Sequence, residues 1–200
     1  MWLNTEADKL KTGIIILSLF LTALIHAAPC GIHGSARPGT REYTLNAFKN
    51  RSLAPRAINR RITLEKLARG GRYENSEAAA VIGYVALVKP GGKESCNCGA
   101  TDPAKIDTHV ALVTDLAYAN DKSKHIVVEV TPRTRRRYHF PSTATLKTQI
   151  LHKRVMVTGW LFYDSMHEHN AANTNPHGSQ IWRLTCEEIH PVSGIKVLHQ

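Results

Sequence analysis

The sequence predicts a mainly β protein: a five-stranded OB-like barrel with one helix between strands 3 and 4, preceded by a basic, partly helical arm. Three observations carry that expectation. From Ala78 onward, runs rich in Val, Ile and Tyr are separated by Gly, Pro, Asn and Asp, which is the pattern of strands and turns. One helical segment interrupts the strands after the third, and three strands, one helix, two strands is the order of an OB-fold. Upstream, large apolar residues are sparse and basic residues dense, which places a domain boundary near residue 75.

In chain order, residues 1–27 read as a secretory signal peptide. Lys9 and Lys11 precede an apolar stretch from Ile14 to Leu24, and the small residues Ala27 and Ala28 follow it. Cleavage before Ala28 would leave the remainder periplasmic or secreted. Cys30 raises a lipoprotein reading, against which Pro29 stands where such a signal carries a small residue; an uncleaved anchor is the other alternative. The apolar run Gly13 to Ile25 is shorter than the roughly 17–25 residues that cross a bilayer as a helix, which excludes a polytopic membrane protein.

Residues 28–75 form the arm. Between 37 and 72 it carries ten Lys or Arg against two Glu, in a chain of 200 residues whose formal net charge is +10. Most of the excess charge therefore sits there. Such a distribution points to an anionic partner (nucleic acid, lipid headgroup at a membrane surface, or cell-wall polymer) and equally to an arm that is merely solvated. After Pro55, Ala57 to Arg69 reads as a helix with Ile58, Ile62 and Leu67 on one side and Gly70-Gly71 as its stop. Its thin apolar face predicts weak packing on the domain, and a domain that folds without the arm.

Residues 76–200 form the barrel, with strands expected at about 80–89, 107–114, 125–131, 154–162 and 180–198, the last broken at Pro191. Between the third and fourth, Pro141 to His152 carries Leu146, Ile150 and Leu151 at helical spacing. Val155 to Leu161 alternates as a half-buried strand must, and Gly83 and Gly159 fall inside strands where a small barrel bends. An open mixed sheet with a helix on one face is the competing architecture.

Several segments together resemble a family of exported bacterial proteins with an OB-like domain. They are Val88 to Cys98, Asp107-Thr108-His109, Val128 to Arg133, Thr158-Gly159-Trp160-Leu161, Asp164-Ser165 with His167, and the closing Glu188-Ile189-His190-Pro191-Val192. The resemblance covers about residues 80–198 and implies common descent and a barrel; the family carries no established reaction. A looser similarity is to thermonuclease-like OB proteins, whose third strand meets a Thr-Pro step flanked by acidic residues that bind calcium and activate water. Here Val130 and Arg133 flank Thr131-Pro132, so those acidic residues are missing at that step.

The residues themselves offer two kinds of chemistry. Asp107 and His109 are two apart and project from one side of a strand, as do Glu188 and His190, while Glu129 lies on the neighbouring third strand. With Asp164, His167 and His169 from the loop after the fourth strand, they provide ligands for a divalent transition metal as cofactor. The alternative is that Glu188 and His190 satisfy buried backbone groups. None of these spacings is a recognised metal signature. Cys96 and Cys98 form a redox pair or soft metal clip if they pair with each other, or one half of a stabilising bridge to Cys186 or Cys30. Arg133, Arg135, Arg136 and Arg137 with Tyr138 form the densest basic and aromatic cluster, placed to clamp phosphates and stack bases or to be a solvated connection. Two functions follow: an exported non-catalytic module for an anionic ligand, or a metal-dependent hydrolase acting on a phosphate-bearing substrate.

Overall fold

The computed structural model describes residues 30–199; the expected signal peptide and its cleavage point lie outside the described residues. Among the described residues, no helix is long and apolar enough to cross a membrane. The strands are β1 (Ala78–Pro90), β2 (Thr108–Val113), β3 (Ile126–Val130), β4 (Arg154–Tyr163) and β5 (Glu187–Val197). They close into a barrel in the order β1-β2-β3-β5-β4, with β4 pairing back onto β1. Every pairing is antiparallel except β3 with β5, which is parallel. The OB-like barrel expected from the strand order is therefore the fold.

Strand alternation explains the core. Val81, Val85, Val88, Val110, Leu112, Ile126, Val128, Val155, Val157, Leu161 and Ile189 fill the interior as one cluster. Two glycines within the strands, Gly83 and Gly159, stand where a side chain would collide. A Cβ on Gly159 would lie 2.4 Å from the Pro191 carbonyl oxygen, so β4 and β5 cross closely only because it is absent. The register between β4 and β5 shifts on both sides of Gly159, and β5 continues through Pro191 where a break was expected. The helix between β3 and β4 is Thr143–Ile150; Ser142 caps it by accepting from the Thr145 N–H, and Leu146 and Ile150 plug the barrel.

The segment before the barrel differs from the loose arm expected of it. Helix α1 (Arg41–Lys49) was not foreseen, and the helix expected over 57–69 is reduced to α2 (Leu64–Ala68). Ile62, Leu64 and Leu67 are buried in the same core as the barrel strands, so the boundary near residue 75 does not mark the edge of the core. Gly83 is the seat of Leu64: a Cβ there would meet Leu64 Cδ2 at 2.4 Å. Arg51 donates to the carbonyls of Asn75 (2.5 Å), Leu161 (3.2 Å) and His190 (3.3 Å), with its guanidinium over Trp160. Burial lowers its pKa to about 10. Part of the arm's positive charge is thus structural.

Cysteine pairing also resolves. Cys30 bridges Cys98 across 68 residues of sequence, leaving Cys96 and Cys186 as buried free thiols. In the chain-entropy view, closing a loop of that length stabilises the fold by about 4 kcal/mol. Asn50 reinforces the clasp, donating to the carbonyls of Ile32 (3.0 Å) and Cys96 (2.9 Å).

Candidate metal centre on the outer face of the barrel

Lys89, His109 and Glu129 stand directly opposite one another across β1, β2 and β3. The adjacent row Val88, Val110 and Val128 lies in the core. By strand alternation, His109 and Glu129 therefore project from the outer face. Glu188 and His190 flank the core residue Ile189 on β5 and reach the same face. The face of strands 2 and 3, with the loops β1–β2 and β4–β5, is where OB-folds take ligands. Here it is roofed. The β1–β2 loop brings Glu94, Cys96 and Asp107, α1 brings Lys49, and the β4–β5 connection brings Asp164, His167 and Arg183.

Under that roof, charges alternate in sign along a chain of contacts. Lys49 Nζ lies 2.9 Å from Glu94 Oε2, and Glu94 Oε1 lies 3.8 Å from His109 Nε2. His109 Nε2 is 3.0 Å from Glu129 Oε1, and Glu129 Oε2 is 3.4 Å from His190 Nδ1. His190 Nδ1 is 3.2 Å from Glu188 Oε2, Glu188 Oε1 is 2.6 Å from Arg183 Nη2, and Arg183 Nη1 is 3.2 Å from Asp164 Oδ2. His167 ends the chain, its Nδ1 2.5 Å from the same Asp164 oxygen. Arg183, Glu188 and His190 are at most 1% exposed.

Electrostatics follows from burial and this alternation. Burial opposes a charge on His109, but Glu129 and Glu94 outweigh it and raise its pKa to about 10. Burial likewise disfavours charged His190, and Glu129 and Glu188 raise it nonetheless. Glu94 would be pushed up by burial, yet His109 and Lys49 hold it well below the usual carboxylate range. For Asp107 the opposing pull of His190 and His109 is too weak to win. Burial, then repulsion from Glu129, pushes its carboxyl up to about 7.

The network leaves atoms unsatisfied. Asp107 Oδ1, Glu129 Oε2, His190 Nε2 and His109 Nδ1 are buried without a hydrogen-bond partner. An unsatisfied buried polar group costs about 1–3 kcal/mol, so several in one place call for a ligand. Asp107, Glu129 and His190 each offer one ligand atom, and these lie within 4.8 Å of one another. Glu94, His109 and Glu129 form a second such group, and Glu94, Cys96 and Asp107 a third. Opposite ligands of an ion with bonds of 2.0–2.2 Å are roughly 4.0–4.4 Å apart, so the groups are near the size of a coordination sphere.

Of the eight carboxylates and imidazoles read from the sequence as ligands, Asp107, His109, Glu129 and His190 lie in these groups, and His169 stacks on His167 outside them. Asp164, His167 and Glu188 instead hold Arg183 and His190 in the surrounding ion pairs. Glu94, Lys49 and Arg183 were missed. Two hollows reach the centre. One of about 310 Å³ is lined by Lys49, Lys93, Glu94 and His167; the other, of about 260 Å³, by Lys89, His109, Lys122 and Trp182.

The arginine cluster divides. It lies on α3 (Pro132–Arg137), a short helix opened by a Thr131/Thr134 capping box rather than a loop. Arg133 donates to Asn50 Oδ1 and to the Cys30 carbonyl, and Tyr138 to the Ser52 carbonyl. Arg135 donates to the Ala104 (3.2 Å) and Ile106 (3.0 Å) carbonyls and to Thr108 Oγ1 (2.8 Å). Only Arg136 and Arg137 of the four are exposed. Cys96, facing Glu94 and Asp107, is pushed far up by burial and stays a thiol, while Cys186 lies beside Thr174. No family model, curated protein or solved structure matches the chain.

Proposed function

We propose that the protein is an exported metal-dependent hydrolase of phosphate-bearing substrates, working on the outer face of β2 and β3. One observation carries the reading. Asp107, Glu129 and His190 converge, buried, with unpaired atoms, on the face where barrels of this topology take ligands. Oxygen and imidazole donors suit a first-row divalent ion such as Mn²⁺ or Zn²⁺. Held by Asp107, Glu129 and His190, such an ion would lower the pKa of bound water and supply a hydroxide to attack phosphorus, the ester oxygen leaving with its electron pair and taking a proton from water. Lys89 and Lys122 line the hollow that ends at His109 and supply positive charge for the phosphate. The Cys30–Cys98 disulfide supports a compartment outside the reducing cytoplasm.

A second reading has its own observation. A groove between β1 and the helix Thr143–Ile150 is lined by Lys105, Arg136, Lys147 and Phe140, which favours a non-catalytic module for an anionic polymer. Elemental analysis and hydrolysis of bis(p-nitrophenyl) phosphate by purified protein separate the two. The hydrolase reading expects a bound ion, activity lost in chelator and restored by Mn²⁺ or Zn²⁺, and a loss of at least about 100-fold in Asp107→Asn with the fold retained. Protein that neither retains nor takes up these ions overturns it.

A further inference from the structure

Glu129 belongs to two of the three ligand groups at once, and its two oxygens face different ways. Oε1 lies 3.0 Å from His109 Nε2, on the side of Glu94. Oε2 lies 3.4 Å from His190 Nδ1, and Asp107 joins Glu129 and His190 in their group. A carboxylate with one oxygen in each of two adjoining donor sets is the geometry of a bridge. We infer that the centre binds two divalent ions, bridged by Glu129, the first held by Glu94 and His109 and the second by Asp107 and His190.

Charge supports divalent occupants. Five carboxylates (Glu94, Asp107, Glu129, Asp164, Glu188) outnumber the cations paired with them, Lys49, Arg183 and His167, and imidazoles that bind metal are neutral, so the centre keeps a negative excess for cations to offset. Burial supports a division of labour. Asp107, Glu129 and His190 are at most 3% exposed, whereas the side chains of Glu94 and His109 are 22% and 14% exposed and border the two hollows. An ion held by Glu94 and His109 would be the one open to the substrate phosphate, and one held by Asp107 and His190 would be enclosed and help polarise the attacking water. Lys49 and Arg183, each ion-paired to a carboxylate, position Glu94 and Glu188 rather than touching the phosphate.

This inference rests on the hydrolase reading but fails separately from it. The test is titration of metal-free protein with Mn²⁺, following ions bound per chain by elemental analysis and coupling between them by electron paramagnetic resonance. The expected result is two ions with a spin-coupled spectrum. His109→Ala then retains one ion with an uncoupled spectrum, as does His190→Ala, and Glu129→Gln loses the coupling. Far-ultraviolet circular dichroism of each metal-free variant checks folding. Because His109 is the more exposed of the pair, its variant keeps the test usable if His190→Ala does not fold. One ion per chain in the unaltered protein, with hydrolysis retained, overturns the paired centre and leaves the hydrolase reading standing. Two ions without coupling, or with coupling kept in Glu129→Gln, overturn the bridge. No bound ion overturns both.

Discussion

Leu67→Ala tests whether the segment before the barrel belongs to the fold. Leu67 is fully buried and packs in the single cluster that fills the barrel. Truncating a fully enclosed leucine removes its transfer free energy and leaves a cavity, which together cost about 2.7–5 kcal/mol. For a chain of this size each kcal/mol lowers Tm by roughly 2–4 °C, so a fall of roughly 6–20 °C is expected. Near-ultraviolet circular dichroism during heating, with the disulfide kept oxidised, gives the fall in Tm; urea titration gives the loss of free energy. Leu64→Ala should behave alike, since Leu64 is also fully buried and sits over Gly83. A chain starting near Tyr73 lacks both leucines and Cys30, and should lose its cooperative transition. A Leu67→Ala change within about 1 kcal/mol of the unaltered protein would refute the reasoning and restore a dispensable arm.

Two further outcomes are expected. Arg135→Ala should destabilise by about 1–3 kcal/mol, because it abandons the Ala104 and Ile106 carbonyls. Arg136→Ala and Arg137→Ala should leave urea unfolding unchanged within about 0.5 kcal/mol, while each lowers the salt slope of any polyanion binding by about one; the opposite allocation would show the exposed pair to be structural. Burial pushes the Glu187 carboxyl up to about 7. An acid raised on folding keeps its proton longer in the folded chain, so its contribution is full below about pH 4 and fades as pH rises toward 7. Thermal melts should therefore find Glu187→Gln equal to the unaltered protein near pH 4.5 and more stable near pH 8; a difference independent of pH counts against it.

The barrel was legible because strands write themselves in period two, and Val81, Val85, Val110, Val128, Val155 and Val157 alternate into one core. The preceding segment was not, for a physical reason. Helix α1 buries Asn46 and Lys49 rather than an apolar stripe, so hydropathy carries no trace of it. Ile62, Leu64 and Leu67 dock through a turn and one short helix, which the apolar spacing mistook for a continuous helix. The site was legible where strands impose spacing: Asp107 with His109 and Glu188 with His190 do meet Glu129. Glu94, Lys49 and Arg183 come from a loop, a helix and a long connection. No rule of spacing links them to the strands. The arginine cluster misled because local density says nothing of direction, and Arg133 and Arg135 turn inward to carbonyl oxygens.

Arg51 also sets an order of events in time. Its guanidinium closes on carbonyls 24, 110 and 139 residues further along the chain. Two of these belong to β4 and β5, the last two strands of the barrel in chain order. Likewise β1, the first strand made, finds one of its two partners only in β4. The beginning of the chain must wait for its end, and contacts of such long reach are slow to form. A chain halted before β5 lacks one of the three carbonyls that seat Arg51 and has no closed barrel for Leu64 and Leu67 to enter, so the segment before the barrel docks fully only when the last strand is in place.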